Sequence, residues 1–194
     1  MDSININFQD LISGKDYFSE IQSVFLAKGY IVCFTGNRPA SLPWKFNEDC
    51  ELFLAFKNSL YNLIKSLIEN GARYFITGMA MGFDLIAAEV VLELKSIYPE
   101  VKLECAIPCM NQCKGWIEGY KKRYNKIIES SDKVTYLTDK NYFEGCFHVR
   151  NRYMVDKSDL VLACSFSTGG GTASTIKYAS SKNKNLIIIS KNKI

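Results

Sequence analysis

The chain has 194 residues, 47% of them hydrophobic and 23% charged, with a formal net charge of +4. That size and balance fit one soluble domain that buries a core without help from metal or disulfides. The apolar runs, such as 160–164 and 186–189, are of strand length and far short of the ~20 residues of a membrane span. Met1-Asp2-Ser3-Ile4-Asn5 lacks a basic stretch followed by an apolar one, so a cytoplasmic protein with no membrane partner is expected.

Seven cysteines, an odd number, point to reduced thiols. Cys105, Cys109 and Cys113 are spaced by four, but Pro108 interrupts any helix that would align them and the spacing matches no common zinc pattern, so neither a metal nor a resident cofactor is expected. Basic residues are dispersed. The densest clusters, Lys121-Lys122-Arg123 and the tail over 182–193, read as solvated faces before they read as a nucleic-acid footprint.

In chain order, residues 17–27 have the pattern of an amphipathic helix, and the first convincing strand is 31–35. Residues 1–30 are therefore set apart as an N-terminal extension of unknown role, and 31–194 as the folded domain. Over 47–70, Phe53, Phe56, Leu60, Leu63, Ile64 and Leu67 recur at three and four residues and predict a helix, capped by Gly71. Strands follow at 73–77, 102–107, 133–137, 159–163 and 186–190, with helices at 83–98, 116–130, 149–157 and 172–181. This alternation predicts an α/β, Rossmann-like architecture: a mainly parallel sheet flanked by helices on both faces, with ligands at the carboxyl ends of the strands.

Three strand-to-helix junctions carry the candidate chemistry. The first is Thr35-Gly36-Asn37-Arg38-Pro39, where Gly36 permits a tight turn, Arg38 offers a planar fork of donors and Pro39 stiffens the exit. The second runs from Thr77 through Gly78, Met79, Ala80, Met81 and Gly82 to Asp84 and Glu89; its two glycines allow close backbone approach, and Asp84 either caps the helix or accepts from a ribose hydroxyl. The third joins Arg150 and Arg152, which cannot share a helix face, to Thr168-Gly169-Gly170-Gly171-Thr172, an anion nest at a helix start. His148, the one histidine, has no evident partner and reads as structural before catalytic.

Taken in order, TGNRP, TGMAMGFDLIAAE, the Ile107-Pro108 strand end, Trp116, RNRYMVDKSD and GGGT closely resemble the YpsA-like family of the SLOG superfamily, which also holds the SMF/DprA proteins and the LOG phosphoribohydrolases. The resemblance covers about residues 31–189. It implies a Rossmann-like fold that binds nucleotides or molecules derived from them. The second motif is similar to the DprA pattern. RNRYMVDKSD followed by GGGT is similar to LOG enzymes, in which an arginine and a glutamate just after the glycine-threonine loop cleave an N-glycosidic bond; Arg150 falls on that arginine. The glutamate is missing, because the chain continues Ala173-Ser174-Thr175-Ile176.

The favoured expectation is thus a binding protein for a nucleotide-derived small molecule, such as an ADP-ribose-like or cyclic nucleotide signal. Its ligand would be held by Thr35, Gly36, Asn37, Arg38, Gly78, Met79, Ala80, Gly82, Asp84, Arg150, Gly169, Gly170, Gly171 and Thr172. One alternative is a nucleotide hydrolase resembling the phosphoribohydrolases, with Arg150, Asp84 and Glu89 as catalytic candidates. The other is a DprA-like binder of single-stranded DNA using Tyr120, Lys121, Lys122, Arg123 and Tyr124, disfavoured by the modest charge. Homo-oligomerisation through an exposed Trp116 or through residues 1–30 stays open.

Overall fold

In a computed structural model of the protein, residues 3–23 and 28–191 are described. The strands are β1 (Ser3–Asn7), β2 (Ile31–Gly36), β3 (Tyr74–Thr77), β4 (Lys102–Ile107), β5 (Lys133–Tyr136), β6 (Leu160–Cys164) and β7 (Asn185–Ser190). The helices are α1 (Phe8–Ile12), α2 (Phe18–Ser23), α3 (Glu51–Glu69), α4 (Phe83–Leu94), α5 (Glu118–Ser130), α6 (Cys146–Lys157) and α7 (Gly170–Ser181). All strand pairs are parallel, in the order β1-β7-β6-β2-β3-β4-β5.

Side chains alternate across the strands as the pleat requires. Val32 and Phe34 of β2, with Phe75, Leu103 and Leu162, pack into the larger core beneath α1, α3, α4 and α5. Cys33, Ile76, Ala106, Val161 and Ala163 join Met154, Val155 and Ala179 of α6 and α7 on the other face. The periodic residues of α3 are buried as the pattern predicts, and Gly71 after that helix has φ +106, a left-handed value that suits glycine. Ala87 and Ala88 are fully buried, which lets α4 lie close on the sheet.

The N-terminal segment supplies a strand that the sequence pattern did not single out. β1 pairs with β7 from Ser3 opposite Leu186 to Asn7 opposite Ser190 and closes that edge of the sheet. Ile6, Phe8, Leu11 and Ile21 behind it are buried in the larger core. The helix expected over 17–27 is present as α2; residues 24–27, like 1, 2 and 192–194, lie outside the described residues. Trp116 is packed edge-on against Tyr124 at 5.5 Å and only 9% exposed, so it is not the projecting contact residue the sequence allowed.

From β2 the chain winds outward through β3, β4 and β5, then crosses to β6 and β7 on the opposite side. Winding direction therefore reverses between β2 and β6, and the loops after those strands diverge. This opens a crevice at their carboxyl ends, the ordinary ligand position in such sheets.

Candidate functional site

A cleft of about 700 Å³ occupies that crevice. Asn37, the first residue past β2, braces its walls. The Asn37 backbone N–H donates to Cys164 O at 3.0 Å, its Oδ1 accepts from the Phe166 N–H at 2.5 Å, and its Nδ2 donates to Ser167 Oγ at 2.9 Å. Both ends of the amide are thereby engaged with the loop after β6.

That loop leads into α7 inside the glycine run, two residues earlier than the pattern predicts. Gly170 has φ +84, a conformation that favours glycine, and a Cβ on Gly169, Gly170 or Gly171 would meet nothing within 4 Å. The three glycines are exposed to the cleft, and no side chain caps the first turn of α7. Free backbone N–H groups and the positive end of the helix dipole therefore face the cleft.

Across from this turn stands α6, which begins after Gly145 and so includes Phe147 and His148 as well as the expected residues. Arg150 faces inward and is 4% exposed, whereas Arg152 is turned out and lies over the Tyr178 ring at 5.5 Å. The two arginines separate as the helical period demands. Arg150 Nη1 donates to the carbonyl oxygen of Gly78 and stands 3.6 Å from Asp84 Oδ2, while its Nε is buried with no hydrogen-bond partner. Phe147 is close to two cations, with the Arg38 guanidinium 5.6 Å and that of Arg150 5.9 Å from its ring centre.

Burial raises the Asp84 carboxyl above its ordinary value, and the Arg150 charge, the Ala80 N–H at 3.4 Å and the more distant Arg38 pull it back. Burial likewise lowers Arg150, against the pull of Asp84, yet a guanidinium stays protonated. The floor of the cleft is a desolvated ion pair whose cation has a donor left over.

Three glycines of the first two motifs have a different job from the one their sequence suggests. A Cβ on Gly78 would overlap the Arg150 guanidinium, one on Gly36 would overlap the Phe83 side chain, and one on Gly82, at φ +94, would strike Asn37 O. They clear space for protein groups. The Gly78 and Met79 carbonyls also accept from Gln112 Nε2, at 3.0 Å each, which turns that loop toward the interior.

Of the residues singled out in the sequence, Thr35, Gly36, Asn37, Arg38, Ala80, Asp84, Arg150, Gly169, Gly170, Gly171 and Thr172 line the cleft together. Gly78, Met79 and Gly82 are buried behind its wall. Glu89 is elsewhere: its two oxygens accept from Arg123 Nε at 2.6 Å and Nη2 at 2.8 Å, and Arg123 Nη1 donates to Glu48 at 2.7 Å. That arrangement buttresses α4 and α5. Sequence reasoning missed Phe147, Asn151, Ser167 and Ser174 as lining residues; the polar pair Ser167-Thr168 ahead of the glycines was the available signal for one wall.

A family model described as the YspA SLOG family matches residues 32–192. The chain belongs to the YspA SLOG family. A UPF0398 protein of Bacillus thuringiensis (strain Al Hakam) is 31% identical over 134 residues, which are 69% of this chain and 72% of that one. A UPF0398 protein of Halalkalibacterium halodurans is 37% identical over 108 residues, 55% of this chain and 57% of the relative. Among solved structures, DNA processing protein A of Streptococcus pneumoniae superposes with a TM-score of 0.59 at 15% identity over 92% of this chain. This chain spans about half of that protein, 51% of its length, and the likeness is one of fold. Among the described residues, no helix is long and apolar enough to cross a membrane.

Proposed function

We propose that this protein binds a nucleotide or nucleotide-derived small molecule in the cleft between β2 and β6, its phosphate seated on the uncapped first turn of α7 and its remaining polar groups reaching Arg38 and the Arg150–Asp84 pair. The observation that carries this reading is the buried, unpartnered Nε of Arg150 in a cleft whose opposite wall is an exposed glycine turn. A buried donor without a partner costs about 1–3 kcal/mol, and a ligand oxygen would recover it. Phe147, a lining residue near both Arg38 and Arg150, adds apolar aromatic surface against which a base can pack.

Two features favour binding over hydrolysis. Asp84 is the one carboxylate among the described lining residues and is held in an ion pair; Glu89 is committed to Arg123. Cleavage of an N-glycosidic bond wants a carboxylate that can stabilise positive charge or activate water, and Ser174 at the start of α7 does neither well. A single-stranded DNA footprint on α5 is weaker still, since Tyr120 and Tyr124 are 6% and 7% exposed and Arg123 is spoken for.

The test is a thermal-shift and calorimetric screen of nucleotides, together with mass spectrometry of any small molecule released on denaturation. A ligand at 100 times its Kd stabilises the fold by about 2.7 kcal/mol. Arg38→Ala is expected to weaken binding by about 1.5–3 kcal/mol, the value of a charged hydrogen bond. Unchanged affinity removes Arg38 from the site, and release of free base from a nucleotide moves the assignment to a hydrolase.

A further inference from the structure

A second depression of about 310 Å³ lies between the outer faces of α6 and α7, and it joins the cleft: His148, Asn151 and Ser174 line both. Beyond that shared saddle its walls carry Arg152, Lys177 and Tyr178, two cations and no carboxylate among the described lining residues. Neither Arg152 nor Lys177 forms an ion pair with the described carboxylates. Arg152 is instead positioned by the Tyr178 ring, 5.5 Å below it, an arrangement that orders the guanidinium while leaving its N–H edge free. Asn151 Nδ2 donates to Thr175 Oγ1 at 2.8 Å and pins the two helices beneath the saddle.

We propose that this groove is a second anion subsite, and that the cleft's ligand is a small nucleotide carrying a second phosphoryl group remote from the first, as in a linear phosphodiester-linked dinucleotide. The inference rests on the nucleotide reading of the cleft. Lys177 lies seven residues beyond Gly170 on α7, about 10 Å along the helix at 1.5 Å per residue, and its side chain leans back toward the N-terminus. The two anion positions are thus on one helix face but farther apart than the phosphates of one pyrophosphate. Behind the lining, the Tyr178 hydroxyl donates to Asp156 Oδ1 at 2.9 Å, which sets a carboxylate next to that end of the groove. Two cations on the walls, with a carboxylate bonded to Tyr178 behind them, suit one terminal phosphate rather than a continuing strand.

Calorimetric titration of the full chain with AMP and with 5′-phosphorylated diadenylate, in the wild type and in Arg152→Ala/Lys177→Ala, tests this. Both substitutions are on exposed helix positions. The dinucleotide is expected to bind the wild type about tenfold or more tighter than AMP, the effect of one added charge-assisted contact. The double variant should lose that gain and bind AMP as the wild type does. Equal affinity for the two ligands in the wild type overturns the second subsite alone, as does a dinucleotide advantage that survives in the variant. Failure of the wild type to bind either ligand overturns the nucleotide reading itself, and the subsite with it. An oligothymidylate about ten nucleotides long that binds tighter than the dinucleotide, with a steep loss of affinity in salt, overturns the restriction to a small ligand.

Discussion

Gly78→Ala separates the two kinds of glycine in this cleft. Gly78 sits at an ordinary φ, so alanine brings no backbone strain; the added methyl overlaps Arg150 Nη1 and Cζ and crowds Asp84 Oδ2. Arg150 must leave, which forfeits its bond to Gly78 O and removes the ion-pair partner of a fully desolvated carboxylate. Stranding one member of a buried pair costs about 3–5 kcal/mol, but here the guanidinium can swing into the open cleft and regain water, and alanine narrows the unfolded ensemble by about 0.4–1 kcal/mol. A net loss of about 2–3 kcal/mol follows. For a domain of this size that lowers Tm by about 4–12 °C, measurable by circular dichroism, and urea titration gives the free energy directly. Gly171→Ala is the control: its Cβ meets nothing, and in the first turn of α7 it should leave Tm unchanged or raise it slightly. A Gly78→Ala protein that melts within about 1 °C of wild type would refute the idea that this glycine exists to let Arg150 through.

Arg123→Ala should destabilise by about 1–3 kcal/mol, the buried-pair cost discounted because its side chain is 24% exposed, and should leave nucleotide affinity intact; a loss of affinity with no loss of Tm would put Glu89 back in the site. Asn37→Ala should cost about 1–3 kcal/mol by leaving the Phe166 N–H unpaired, and should speed hydrogen exchange over 165–172, read by mass spectrometry. Burial alone would raise Glu104, but the hydroxyls of Thr135, Tyr153 and Tyr74, with Lys133, outweigh it and hold the carboxyl below its ordinary value. The folded chain then binds that proton less readily than the unfolded one, so the stabilisation is complete above the ordinary carboxylate value and lost as pH falls through the lowered one; Glu104→Gln should flatten the acid side of a Tm-against-pH curve.

The fold was legible because the central strands are apolar runs followed by segments of helical period, with glycine or proline directly at the ends of β2, β3 and β4. β1 was not, for a physical reason. In Ser-Ile-Asn-Ile-Asn the alternation is only five residues long, and its partner strand, β7, pairs with it across 183 positions, from Ser3 opposite Leu186 to Asn7 opposite Ser190, so no local signal marks it as a strand. The start of α6 was missed similarly: Cys146-Phe147-His148 has weak helical period, and it is Gly145, at φ +88, that turns the chain into the helix.

The residues that line the cleft were legible in composition, and what packs against several of its glycines was not. Glycines at a strand-to-helix turn suggest backbone approaching a ligand, and for Gly169, Gly170 and Gly171 the open space above each position fits that reading. At Gly36, Gly78 and Gly82 the space is already filled by Phe83, Arg150 and Asn37. Sequence shows only that a Cβ is absent, not what stands in its place, and the occupant can come from anywhere in the chain: Arg150 reaches Gly78 across 72 positions. The same limit applies to charge. Glu89 and Asp84 are five residues apart on one helix, yet Asp84 faces Arg150 in the cleft and Glu89 faces Arg123 on α5. A carboxylate's chemistry is set by the cation folded against it, so the step from motif to catalyst needs the tertiary partner, and here the partners leave the cleft with one carboxylate held by an arginine that still has a donor to give.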